Sequence, residues 1–161
     1  MTGPPAVAGR RALWLACLPD LECPDTPLDR FGAVPDLPWT TGAEMEPGSD
    51  YLAMASHLPL KRISATVRFF RGVSAVRRQL AATDGLVGYA LRAKPLARDY
   101  WTLSVWTDDR ALRQFMRTPA HVQLMTSLKP YMGPTKFVTW SISAADGRPS
   151  LAGALERLAS G

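Results

Sequence analysis

Between residues 51 and 142 the spacing of apolar side chains switches repeatedly between strand-like and helical periods, and the order of those switches leaves few folds open. Residues 51–58 are an apolar run bounded by Gly48 and Pro59, of a length suited to a buried strand. Phe69, Val73, Val76 and Leu80 then recur at spacings of four, three and four, with Arg71, Arg77 and Arg78 off the stripe, which predicts an amphipathic helix ended by Asp84 and Gly85. Two strands follow, 86–92 and 100–106, with a polar link around Lys94, Pro95 and Asp99 short enough for an antiparallel hairpin. In the second of them Trp101, Leu103 and Val105 point one way and Tyr100, Thr102, Ser104 and Trp106 the other.

A second helical segment starts at Thr107-Asp108-Asp109, with a capping side chain and acids in its first turn, and carries Leu112, Phe115 and Met116 inward. Thr118 as cap and Pro119 at the first helical position restart it through residues 120–128. Residues 136–142 read as a last strand, and Ser150 caps a short final helix bearing Leu151, Leu155 and Leu158. The order β-α-β-β-α-β predicts an α+β domain of the ferredoxin-like kind, with a four-stranded antiparallel sheet and both helical segments on one face. The other face then needs a cover, from the leader or from a partner.

The leader is of a different character. Eight prolines fall before residue 49, which forbids a long helix and disfavours interior strands, although Leu37 and Trp39 are placed to anchor it on the body. The expected organisation is a Pro-rich acidic extension over residues 1–50, the domain over 51–145 and a helical tail over 146–161. Three arginines face eight carboxylates in residues 1–50, against sixteen Lys and Arg and six carboxylates in 51–161, so the net charge of +5 conceals an acidic leader and a basic body. No reading helix or Lys/Arg-aromatic tract accompanies that basic body, which argues against nucleic acid as a partner. Cys17 and Cys23 do not have the C-x-x-C spacing of a zinc or redox site and are expected to be free thiols of a cytoplasmic protein. No stretch has the length of a membrane span.

The stretch from Trp101 to Asp109, then Ala111, Leu112 and Phe115, then His121, resembles the antibiotic biosynthesis monooxygenase-like and spheroidene monooxygenase-like proteins of the dimeric α+β barrel superfamily. Residues 85–88 and the strand Phe137-Val138-Thr139-Trp140 are similar to that family too, so the resemblance spans about residues 51–140. It implies a homodimer, and in each subunit a pocket between sheet and helices. It also implies a small tailoring oxygenase of secondary metabolism, acting on an apolar aromatic or conjugated molecule, with no cofactor in the commonest case and haem in others. The same fold hosts cyclases, isomerases and non-enzymatic ligand- or haem-binding dimers. The chain contains no Asn, whereas the quinone-forming members use an Asn and a Trp to activate oxygen.

His121 is the leading catalytic candidate, as general acid or base or, if haem is bound, as its axial ligand beside Met125 and Leu128; the plainer alternative is a histidine that caps or packs near a helix start. Arg92, a charge within a strand, is the candidate for stabilising an enolate or phenolate, or else is a solvated strand end. Trp106, Trp101, Tyr89 and Trp140 suit a flat ring, and His57 shares a face with Tyr51, Ala53 and Ala55; core and dimer packing, or for His57 the surface, are the competing roles. No metal-ligand pattern, Ser-His-Asp order, phosphate loop or dinucleotide fingerprint occurs.

Overall fold

The computed structural model describes residues 37–160. Cys17, Cys23 and most of the Pro-rich extension lie outside them. Strands β1 (Leu37–Thr41), β2 (Asp50–His57), β3 (Leu86–Lys94), β4 (Asp99–Trp106) and β5 (Lys136–Ser143) form one antiparallel sheet in the order β1-β3-β4-β2-β5. The helices are α1 (Ser64–Leu80), α2 (Asp109–Met116), α3 (Pro119–Leu128) and α4 (Leu151–Ser160). Strands β2 to β5 with α1 and the α2–α3 pair reproduce the β-α-β-β-α-β order. Among the described residues no helix is long and apolar enough to cross a membrane.

The sheet has five strands where four were expected, because the end of the leader adds β1 beside β3. Proline cannot donate to a ladder, so Pro38 had counted against a strand here. At an edge that restriction is lifted, since one side of the strand needs no donor. The register also breaks between Leu37 and Thr40, where Pro38 and Trp39 sit. Leu37 and Trp39 do anchor this segment, Leu37 against one core cluster and Trp39 against two others.

Trp39 fits because residue 88 is glycine: an added Cβ would overlap the indole and lie 2.8 Å from the Thr40 carbonyl oxygen. Gly88→Ala is therefore expected to cost about 1–3 kcal/mol by overpacking. Hydrogen exchange should show lost protection concentrated in β1, and unchanged β1 protection would mean that the Trp39 seat does not hold the strand.

Helices α1, α2 and α3 cover one face of the sheet. Gly72 lets α1 and α3 approach closely, since a Cβ there would overlap Leu124. Phe69, Leu124 and Leu128 pack over Leu91, Ala93 and Tyr100, and the buried Tyr100 hydroxyl donates to Thr66 Oγ1 at 2.9 Å. Helix α2 is capped by Asp108, whose Oδ1 accepts from the Ala111 amide at 2.7 Å. Thr118 does not cap α3 as expected: its hydroxyl donates to the Phe115 carbonyl at 2.7 Å. Gln79 Oε1 on α1 accepts from the Ala120 amide at 3.2 Å instead, so the start of α3 is satisfied by a neighbouring helix.

The opposite face is covered in part by the chain itself. Ala154 and Leu158 of α4 are buried over Ala55 and Leu103, with Trp39, Trp101 and Trp140 packed around them. Small side chains at Ala53 and Ala55, both fully buried, leave room above the middle of the sheet. Ser150 Oγ caps α4, accepting from the Gly153 amide at 3.1 Å.

Candidate active site

Between the sheet and helices α1 to α3 lies a cavity of about 430 Å³. Alternation along the strands decides which side chains reach it. From β4 come Thr102, Ser104 and Trp106, from β3 Tyr89 and Leu91, and from β2 Met54 and Ser56. The helices contribute Val73, Val76, Arg77 and Leu80 from α1, Leu112 and Phe115 from α2, and His121, Leu124 and Met125 from α3. Met116, Val122 and Phe137 also line it and are solvent-exposed, so an apolar rim marks its mouth.

Three rings run in sequence along one wall. Trp106, fully buried, stacks on Phe115 with centroids 5.1 Å apart, and Phe115 meets His121 at 5.0 Å. The indole Nε1 donates to Ser104 Oγ at 2.9 Å, which fixes the ring and leaves the hydroxyl proton of Ser104 available to another acceptor. Ser56 and Thr102 share a hydrogen bond between their hydroxyls at 2.5 Å.

His121 is half-buried where α3 begins. Its Nδ1 lies 3.0 Å from the Met116 carbonyl oxygen. A carbonyl can only accept, so Nδ1 carries the proton, and the neutral ring keeps its lone pair on Nε2. Burial pulls the imidazole below its ordinary proton affinity, and the Met116 carbonyl offsets this in part. The outcome is a histidine that is neutral, and basic at Nε2, at physiological pH.

Of the residues singled out from the sequence, the structure brings Trp106, Tyr89 and His121 to this cavity and places Trp101, Trp140, His57 and Arg92 on the opposite face. His57 Nε2 is 3.0 Å from Asp99 Oδ1 and stacks on Trp101 with centroids 4.9 Å apart, while Lys94 lies over the other ring system at 5.7 Å. Trp140 packs beneath Arg157. Arg92 stands opposite Trp101 in the ladder and alternates with the cavity-lining Leu91, so it cannot share a pocket with His121. Grouping these aromatics as one wall ignored the alternation that separates Trp101 from Trp106.

The cation that does line the cavity is Arg77, whose Nε donates to the Tyr89 hydroxyl at 3.1 Å. Sequence reading assigned Arg77 to the solvent side of the helix. The missed signal is that 69, 73 and 77 form an uninterrupted series of four-residue steps, which continues the inward stripe through Arg77. Among the described residues no group of His, Cys, Asp and Glu is arranged to hold a metal ion.

Fold and cavity together define a small α+β protein with a sheet-and-helix chamber, and comparison with solved structures finds the same fold elsewhere. The fold is that of the antibiotic biosynthesis monooxygenase-like proteins. A candidate monooxygenase from Fusobacterium nucleatum superposes with a TM-score of 0.55 at 11% identity, over 63% of this chain and 46% of its own. One from Lactobacillus acidophilus gives 0.53 at 13%, over 63% and 47%. A structure described as an antibiotic biosynthesis monooxygenase gives 0.50 at 14%, over 55% and 95%. The match thus spans about half the length of the first two. Neither a protein-family model nor a curated protein sequence matches the chain.

Proposed function

We propose that the protein is a small tailoring oxygenase that oxidises an apolar aromatic or conjugated molecule in a secondary pathway, without a bound cofactor. The observation that carries this reading is a desolvated, neutral histidine at the end of a row of aromatic rings in a chamber of ligand size. The shared fold supports it, since the neighbouring structures are described as monooxygenases.

Trp106 and Phe115 form the surface against which a flat ring packs. Nε2 of His121 removes a proton from an acidic O–H or C–H of the substrate, and the Ser104 hydroxyl donates to the oxygen where charge develops. The resulting electron-rich anion reduces dioxygen. Overall, a substrate CH₂ and O₂ give C=O and water, so the substrate itself supplies both electrons for the second oxygen atom and no external reductant enters. Oxygen uptake with polycyclic phenols, stoichiometric with ketone or quinone formed, is the direct test. Turnover that persists without oxygen would assign a cyclase or isomerase, and binding without turnover a ligand carrier.

The pH profile follows from the state of His121. Its folded proton affinity is lowered, so kcat/KM rises with pH through a limb centred below about 6.5, and the limb disappears in His121→Gln. A limb centred above that value would remove the desolvated imidazole from the mechanism.

If haem is bound, His121 is the residue to hold it: with Nδ1 on the Met116 carbonyl, Nε2 is the ligating nitrogen. Haem would supply an iron centre for oxygen chemistry. An absorption spectrum of protein from haem-supplemented cells decides this, because a Soret band lost in His121→Ala would replace the cofactor-free reading. A homodimer in the cytoplasm is part of the same proposal, and light scattering at the monomer mass would remove the dimer.

A further inference from the structure

The proposed reaction gives Arg77 and Tyr89 no role, yet among the described residues Arg77 is the one Lys or Arg side chain that lines this mostly apolar chamber. Arg77 is half-buried in the last turn of α1, with Val76 and Leu80 beside it and Tyr89 across from it on β3. The neighbouring Arg78 is exposed and equally placed to complement the C-terminal end of the helix dipole, so the dipole does not explain why Arg77 turns inward. Among the described residues Arg77 has no carboxylate at ion-pair distance, and it donates from Nε to the Tyr89 hydroxyl oxygen. Two consequences follow from the donor inventory. The terminal nitrogens of the guanidinium keep their N–H groups, and Tyr89, having accepted, keeps its own O–H proton to donate.

We infer that Arg77 and Tyr89 form an anion subsite that binds a carboxylate carried by the flat apolar substrate. This rests on the cavity being the substrate chamber proposed above, and it specifies the chemical class of molecule that enters. Among the described residues no carboxylate neutralises the half-buried Arg77, and a ligand carboxylate would supply the opposite charge. Arginine suits the task because its planar fork matches the two oxygens of a carboxylate, and the tyrosine proton adds a third donor. His121 lies on α3 and Arg77 on α1, so an acid group held by Arg77 orients the ring along the wall of Trp106 and Phe115 toward the histidine.

The test is binding, which needs no turnover. Isothermal titration of the full-length protein with anthracene-9-carboxylate and with anthracene-9-carboxamide compares an anion with its neutral isostere. The wild type should bind the carboxylate about tenfold or more tightly than the amide. Arg77→Gln should bring that ratio close to one with little change for the amide, Tyr89→Phe should reduce it in part, and Arg77→Lys should retain a share of it. Thermal melts identify any variant that fails to fold, and the remaining substitutions then carry the comparison. Equal wild-type affinities, no binding of either compound, or a ratio that survives Arg77→Gln would overturn the subsite. If the ratio behaves as stated while no aromatic substrate consumes oxygen, the subsite stands and the oxygenase reading falls.

Discussion

Replacing His121 by alanine is expected to lower kcat on an oxidised aromatic substrate by about 10²–10⁴-fold while changing KM little. The asymmetry follows from the geometry. His121 contributes one edge of a chamber whose proposed ring-binding surface is Trp106 and Phe115, so its loss removes a small part of the contact area. It is, however, the only histidine that lines the chamber, and Nε2 is its basic nitrogen while Nδ1 is engaged by Met116. Steady-state oxygen consumption of the two proteins, with substrate binding measured separately, is the check. Equal kcat values would reduce His121 to a packing residue at the start of α3, and a large rise in KM alone would make it a binding group. His121→Gln keeps a polar side chain of similar reach but no base, so it should be as slow as the alanine variant.

The largest effect on stability is expected at Trp106. Its side chain is fully buried, packed among Leu80, Leu86, Leu112 and Phe115 where the sheet meets α1 and α2. Trp106→Ala should destabilise the fold by about 3–5 kcal/mol, the range for removing a large buried aromatic, because the neighbours cannot close over a void next to an existing cavity. Ser104 also loses the indole N–H it accepts from. Urea unfolding at constant m-value measures this. Trp106→Phe preserves a ring against Phe115 and should cost much less, so the pair of variants separates lost volume from lost stacking. A cost below about 1 kcal/mol for alanine would show that the site collapses freely and that the wall is not rigid.

The two substitutions probe different properties of one wall. Trp106 is held by packing and belongs to the core as much as to the site, which is why its activity loss alone would be uninformative. His121 is half-buried at a helix start and supports little of the core. Stability should therefore respond to the first and rate to the second.

The particular residues explain how far the sequence could be read. Periodicity located α1 because it buries one stripe, and apolar runs bounded by turn residues located β3, β4 and β5; both are local properties that a sequence records. The capping role of Ser150 was legible for the same reason, since a cap acts within three residues. Thr118 was misjudged because the competing acceptor for the start of α3, Gln79, is forty-one residues away from Ala120. Strand β1 was missed because an edge position, which makes Pro38 harmless, is defined only once β3 is in place beside it.

What the sequence alone determined, then, was the order of elements and the face of each strand on which a side chain stands, because both follow from local periods and backbone sterics. It did not determine which face of the sheet holds the chamber. That depends on where α1, α2 and α3 pack, and it sent Trp106, Tyr89 and His121 to the cavity but Trp101, Trp140, His57 and Arg92 to the side shared with α4. The exchange of Arg92 for Arg77 as the cation of the cavity has the same origin: an arginine's environment is set by what lies across from it, and residues distant in the chain come to face each other only in the folded state.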